Sequence, residues 1–252
     1  VFSMQSLVPL LASIAIPVTA REELASISAQ LTSLRDTYHE PPDAVRLRLS
    51  GGDGSHVMVA VVQEERLRRI LERMLDPEQF LSPFGLRSLS RHHLDHPYVY
   101  TANGAEYRVG YTPAESSSRM FGGNSNWRGP VWFPMNFLLL QGLNAYARFY
   151  GDTVRVADPT GSPETVPLSG AADELAARLT SIFLRGADGR RPVLGGNDYF
   201  QDDPHWRDLV PFYEYFDGDD GHGVGASHQT GWTATVALLL QYGGALRFTD
   251  LA

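Results

Sequence analysis

Two stretches of the chain concentrate side chains suited to holding and cleaving a polar ligand. The first, GGNSNWRGPVW at residues 122–132, places Asn126, Trp127 and Arg128 ahead of a Gly-Pro pair and Trp132. The second opens with PFYEYFD at 211–217 and continues through GASHQTGW at 225–232, which supplies Tyr213, Glu214, His228, Gln229 and Trp232. Indole and phenol faces offer a surface for the CH-rich side of a pyranose, and the amide, guanidinium and imidazole groups between them match its hydroxyls. Glu214 is flanked by Phe212, Tyr213, Tyr215 and Phe216. Desolvation in such company would lift its pKa toward the range of a general base. Pairing with an arginine would instead make it a structural ion. The residues alone leave both readings open.

Other groupings are weaker. His92, His93 and His96 in HHLDH have helical spacing for two imidazoles on one metal, but a third ligand is undefined and Pro97 follows at once. Asp217, Asp219 and Asp220 resemble the start of a calcium loop, yet His228 stands where the bidentate Glu belongs. Gly221, Gly223 and Gly225 follow no strand pattern, so a dinucleotide fingerprint is not indicated. There is no G-x-S-x-G elbow, Walker loop or H-E-x-x-H. No metal site and no cofactor is expected.

The runs GGNSNWRGPVWFPMNFLL and HWRDLVPFYEYFDGDDGHGVGASHQTGWTATVA resemble the C-terminal half of the catalytic domain of glycoside hydrolase family 63. That family includes processing α-glucosidase I and bacterial relatives acting on α-glucosides or mannosylglycerate. The resemblance extends from SMQSLVPLL through PAESSSRMFGG to the end. It implies an (α/α)6 barrel and inverting hydrolysis by two carboxyl groups. By position, Glu214 matches the general base that activates water. Asn126, Trp127, Arg128 and Trp132 match the motif lining the sugar site, while Tyr213, His228, Gln229 and Trp232 belong to the segment facing it.

The family's general acid is an Asp in an S-G-x-D-N-S-P setting, and no such motif occurs in this sequence. Inversion needs carboxyl groups about 6.5 to 9.5 Å apart, with water beneath the sugar. Asp203, Asp208 and Glu115 are acids without anything in the sequence to set them opposite Glu214. The expectation is a bacterial-type inverting glycosidase acting on an oligosaccharide or small glycoside. This chain would supply the base and part of the sugar site, inactive without the acid. Two alternatives stay open: a carbohydrate-binding remnant or pseudoenzyme that cuts no bond, and a lyase using Tyr213 with His228.

The elements that must position these residues read as helices. Met4, Leu7, Val8, Leu10, Leu11 and Ile14 predict a helix apolar nearly all round, closed by Pro17. Thr19 and Glu22 form a capping-box pattern before the stripe Leu24, Ile27, Leu31, Leu34. Residues 59–75 present Leu67, Ile70, Leu71 and Met74 on one side, with Arg66, Arg69, Glu72 and Arg73 on another. A buried helix is predicted over 130–150, a Ser169-capped helix carrying Leu175, Leu179, Ile182 and Phe183, and a last one over 229–242. Alternation of buried and half-wet helices suits two concentric rings. The prediction is therefore an all-α, incomplete (α/α)6 toroid with about half its helices. Residues 1–252 would form the C-terminal part of a single catalytic domain.

Composition agrees with a globular chain: 252 residues, 43% hydrophobic and 20% charged. All 21 basic residues are arginine, against 29 acidic ones, for a net charge of −8. Lysine Schiff-base chemistry and lysine-centred phosphate loops are thereby excluded. The absence of cysteine removes disulfides, thiolate nucleophiles and cysteine-bound zinc. An acidic chain without a basic face does not predict a nucleic-acid partner. No apolar run approaches the roughly 20 residues of a membrane span. Residues 7–20 imitate a secretory core but lack a basic lead-in, so the expected location is cytoplasmic.

Overall fold

The structure is a computed structural model that describes residues 1–37, 48–49, 52, 54–116 and 127–243. Two 3-10 turns, Met4–Ser6 and Val8–Leu11, lead into β1 (Ser13–Pro17), α1 (Arg21–Thr37), β2 (Arg48–Leu49), β3 (His56–Ala60) and α2 (Glu64–Met74). The hairpin β4 (Leu81–Ser82) and β5 (Gly85–Leu86) follows, then the ribbon β6 (Tyr98–Ala102) and β7 (Ala105–Val109). Next come α3 (Phe133–Tyr150), the hairpin β8 (Arg155–Ala157) and β9 (Thr165–Pro167), and α4 (Leu168–Ser181). The remainder is α5 (Asp198–Asp202), the hairpin β10 (Tyr215–Phe216) and β11 (Gly223–Val224), α6 (Thr230–Thr233) and α7 (Val236–Tyr242).

The expected all-α (α/α)6 toroid is overturned. The described residues are 42% helix and 19% strand, with five small antiparallel sheets, one of three strands in the order β1-β3-β2 and four of two. The physical cause is clearest near the start of the chain. An apolar run can serve a buried strand as well as a buried helix, and periodicity alone does not separate them. Pro9 sits early in the second 3-10 turn, and beyond Ala12 the β-branched Ile14 and Ile16 share one face of β1, open at Ile14 (51% exposed) and covered at Ile16 (5%). Residues 56–60, the last two of them assigned to a helix by pattern, pair with β1 instead. The last predicted helix is broken between Thr233 and Val236.

The helices that remain do follow the pattern. In α2, Leu67, Leu71 and Met74 are buried while Arg66, Arg69, Glu72 and Arg73 are exposed. In α4, Leu175 and Leu179 are buried, although Pro167, not Ser169, occupies the N-cap. Leu24 and Ile27 are the half-buried side of α1, whose other described side chains face solvent.

One core extends from Met4 to Leu239, and α3 is its axis, with 13 of its 18 residues buried. The β1–β3 pair and the Val8–Leu11 turn cover one side of α3, and α4 covers another. Gly142 permits the turn to approach: a Cβ there would lie 2.7 Å from the Leu10 carbonyl oxygen. Near the helix start, the fully buried Asn136 amide accepts from Leu86 N–H (2.6 Å) and donates to the Leu86 and Trp132 carbonyls (3.0 Å each). That exchange fastens hairpin β4–β5 to α3. Among the described residues, no helix is long and apolar enough to cross a membrane.

Candidate active site

The two chemistry-rich segments meet at the N-terminal end of α3. Val131 exchanges backbone hydrogen bonds with Phe216, N–H to O at 2.8 Å and back at 3.0 Å, while bridging Arg87 on its other side. Gly129 is required by crowding, since a Cβ would stand 2.4 Å from the Thr112 carbonyl oxygen. Its N–H donates to Ser88 Oγ at 3.1 Å. Beneath, the buried Arg87 guanidinium donates to Tyr111 Oη (3.0 Å) and pairs with Asp219 (3.3 Å), and Tyr111 Oη donates to Asp219 at 2.7 Å. These bonds lock the 127–132 segment to the loop after β10.

On this base stands an aromatic stack. Trp127 lies over Trp132 at 4.3 Å and 4°, and Trp132 over Tyr215 at 4.8 Å and 27°. Trp232 leans on Trp132 at 5.6 Å and 52°. Trp132 and Tyr215 are buried, with Val224 against them and Ala114 and Met135 alongside. Trp127 is half-buried and Trp232 is 41% exposed, so the stack presents indole surface to solvent at its rim.

Glu214 stands at the mouth of hairpin β10–β11. Its N–H donates to the Ala226 carbonyl at 2.8 Å, and its Oε2 accepts from Ala226 N–H at 3.4 Å. Gly225 adopts φ +74°, and a Cβ there would sit 2.8 Å from that Oε2. The carboxylate is half-buried and, among the described residues, forms no ion pair with an arginine. The aromatic enclosure anticipated from FYEYF is not formed. Phe212, Tyr213 and Phe216 pack against the main core, Tyr213 lying across Gly223, and only Tyr215 turns to the stack.

The remaining candidates divide. Arg128 is buried, and that burial lowers its pKa. Exposed His228 forms a parallel bridge with Phe212, and Gln229 donates its N–H to Phe212 O at 2.8 Å before α6 begins. Asn126 lies outside the described residues. His93 has both ring nitrogens engaged, Nε2 accepting from Phe2 N–H and Nδ1 donating to the His96 carbonyl, each at 2.8 Å. It is a structural group. Asp217 Oδ1 caps the turn by accepting the N–H groups of Asp219 (2.7 Å) and Asp220 (3.1 Å).

Two residues were not singled out for the site from sequence. Tyr215 completes the stack, and its pKa is pushed up to about 12 by burial, with Glu115 and then Glu214 adding to the effect. Glu115, which the sequence could not relate to Glu214, thus lies close enough for its charge to act on the same phenol. Its neighbour Ala114 packs on the stack. The signal for Tyr215 was its place in FYEYF, but nothing there tells which aromatic turns which way.

Residues 55–233 match the mannosylglycerate hydrolase MGH1-like glycoside hydrolase domain. The chain is 48% identical over 188 residues to an uncharacterized protein of Saccharomyces cerevisiae, covering 74% of this chain and 17% of that one. It is 28% identical over 177 residues to the mannosyl-oligosaccharide glucosidase of the same yeast, covering 69% and 15%. A probable mannosyl-oligosaccharide glucosidase of Schizosaccharomyces pombe is 27% identical over 175 residues, again 69% and 15%. The chain therefore spans about a sixth of the length of these relatives. They are yeast proteins and lend no support to a bacterial type. The chain belongs to the mannosylglycerate hydrolase MGH1-like glycoside hydrolase domain family, within glycoside hydrolase family 63, and is related to the mannosyl-oligosaccharide glucosidases.

Proposed function

We propose that this chain is the C-terminal part of the catalytic domain of an inverting glycosidase acting on an α-linked oligosaccharide or small glycoside. Glu214 is its general base. The reading rests above all on one observation: a half-buried carboxylate with no arginine partner among the described residues stands near a rim of exposed indole. A pyranose seated on Trp232 and Trp127 would bring its anomeric carbon within reach of a water held by Glu214. The carboxylate takes the proton as that water attacks. The general acid, protonating the leaving oxygen from the opposite face, lies outside this chain. His228 and Gln229 supply hydrogen bonds to hydroxyls from the α6 side, and the buried Arg128 follows Trp127 in the chain.

The test is Glu214→Gln in the whole gene product. Turnover of an α-glucoside should fall by roughly 10²–10⁴-fold, the contribution of a positioned base. Affinity for the sugar should persist, and the wild-type product should appear with inverted anomeric configuration by NMR. Undiminished turnover would remove Glu214 from the role. A wild-type product that binds glycans without cleaving them would leave a carbohydrate-binding remnant as the account.

A further inference from the structure

Helix α3 buries three carboxamides, Asn136, Gln141 and Asn144, and among the described residues Gln141 is the one left without a hydrogen bond. Asn136 meets both backbone groups of Leu86. Gln141 is 4% exposed, and among the described residues neither its Oε1 nor its Nε2 has a hydrogen-bond partner. Folded proteins leave few such groups unmet, because each costs about 1–3 kcal/mol.

Gln141 lines a groove of about 400 Å³ between α3 and β1, remote from Glu214 in the fold and walled by Leu11, Ile14, Ala15, Leu138 and Ala145. Ile14 and Leu138 are large apolar side chains left 51% and 38% exposed at its edge. β1 is an edge strand, since the sheet order is β1-β3-β2. An edge strand, apolar walls and one amide with donor and acceptor both open together describe a seat for extended backbone.

We propose that a strand of polypeptide, contributed by the part of the gene product outside this chain, lies in this groove along β1. One of its peptide units pairs with the Gln141 carboxamide as Leu86 pairs with Asn136. A peptide unit is the group whose N–H and C=O satisfy both open atoms at once. Length supports a source within the same protein: the matched region is only 15–17% of each relative, so most of a comparable polypeptide lies elsewhere.

The experiment compares Gln141→Met, close to isosteric, in the 252-residue chain and in the product of the whole gene. In the chain alone the change removes an unmet amide and should raise Tm by about 2–4 °C. In the whole product it removes a partner from a seated strand and should lower Tm. Hydrogen exchange at the amides of 13–16 gives a second readout, slower in the whole product and accelerated there by the substitution. The same sign of shift in both proteins, or equal exchange, overturns the proposal. So does a gene that encodes nothing beyond this chain. A dimer of the chain that Gln141→Met dissociates would seat a second copy in the groove, and would overturn it as well.

Discussion

Trp232 and Gly225 show how little separates a binding residue from a positioning one. Trp232→Ala removes exposed indole at the edge of the stack and leaves the buried pair of Trp132 and Tyr215 in place. Aromatic contacts of this kind contribute about 0.5–1.5 kcal/mol, so sugar affinity should weaken by up to about tenfold while Tm barely moves. Titration calorimetry with a glucoside checks the affinity, and a thermal unfolding scan checks Tm. Gly225→Ala acts on the proposed base indirectly. The left-handed backbone there favours glycine, and the new methyl would press on Glu214 Oε2. In the whole gene product kcat should fall with KM little changed, whereas loss of sugar binding alone would place Glu214 among the ligand contacts. The tryptophans of the stack were legible in sequence because their spacing is part of a specific motif. The separate destinations of Tyr213 and Tyr215 were not, since they depend on how the hairpin twists against a core that no local pattern records.

At the level of elements, the tie between hairpin β4–β5 and α3 holds the floor of the site. Asn136→Ala would leave the N–H and C=O of Leu86 unpaired in the interior, at a cost of about 1–3 kcal/mol in denaturant unfolding. A loss well below that range would mean that the hairpin is held by its side chains instead. Gly142→Val tests the neighbouring contact by forcing the Val8–Leu11 turn away from α3, and overpacking of this kind typically costs about 1–3 kcal/mol. Helices α2 and α4 were readable because their polar and apolar faces alternate at one period over more than two turns. The opening segment and the five small sheets were not readable. Strands of two to five residues carry too few positions to establish a period, and a wholly apolar run has no face to reveal.

Over the whole molecule, buried phenols set the alkaline limit of stability. Tyr215 and Tyr150 are both pushed up to about 12, first by burial, then by Glu115 and Glu214 for the one and Glu64 for the other. Tyr111 and Tyr146 are raised in the same direction, again chiefly by burial. An unfolded tyrosine titrates near 10. Between that value and about 12 the folded state keeps protons that the unfolded chain gives up, so stability is full below pH of about 10 and declines as the pH rises. The last step of tyrosinate absorbance, the share of the four buried phenols, should coincide with loss of ellipticity. Complete tyrosinate absorbance near pH of about 10 in an intact fold would show that burial does not protect them. Composition and charge had indicated a compact acidic protein, but the toroid was an extrapolation from helix alternation. The described residues put five small antiparallel sheets among the helices instead.

The face-to-face indoles carry an optical consequence. The chain has four tryptophans, and three of them, Trp127, Trp132 and Trp232, form the stack, while Trp206 sits apart with Tyr199 and Phe200. At 4.3 Å and 4° the transition dipoles of Trp127 and Trp132 are close enough for excitonic coupling. The proposed sugar site is therefore a built-in chromophore, and a change in its ultraviolet dichroism would report occupancy of the indole rim without any label.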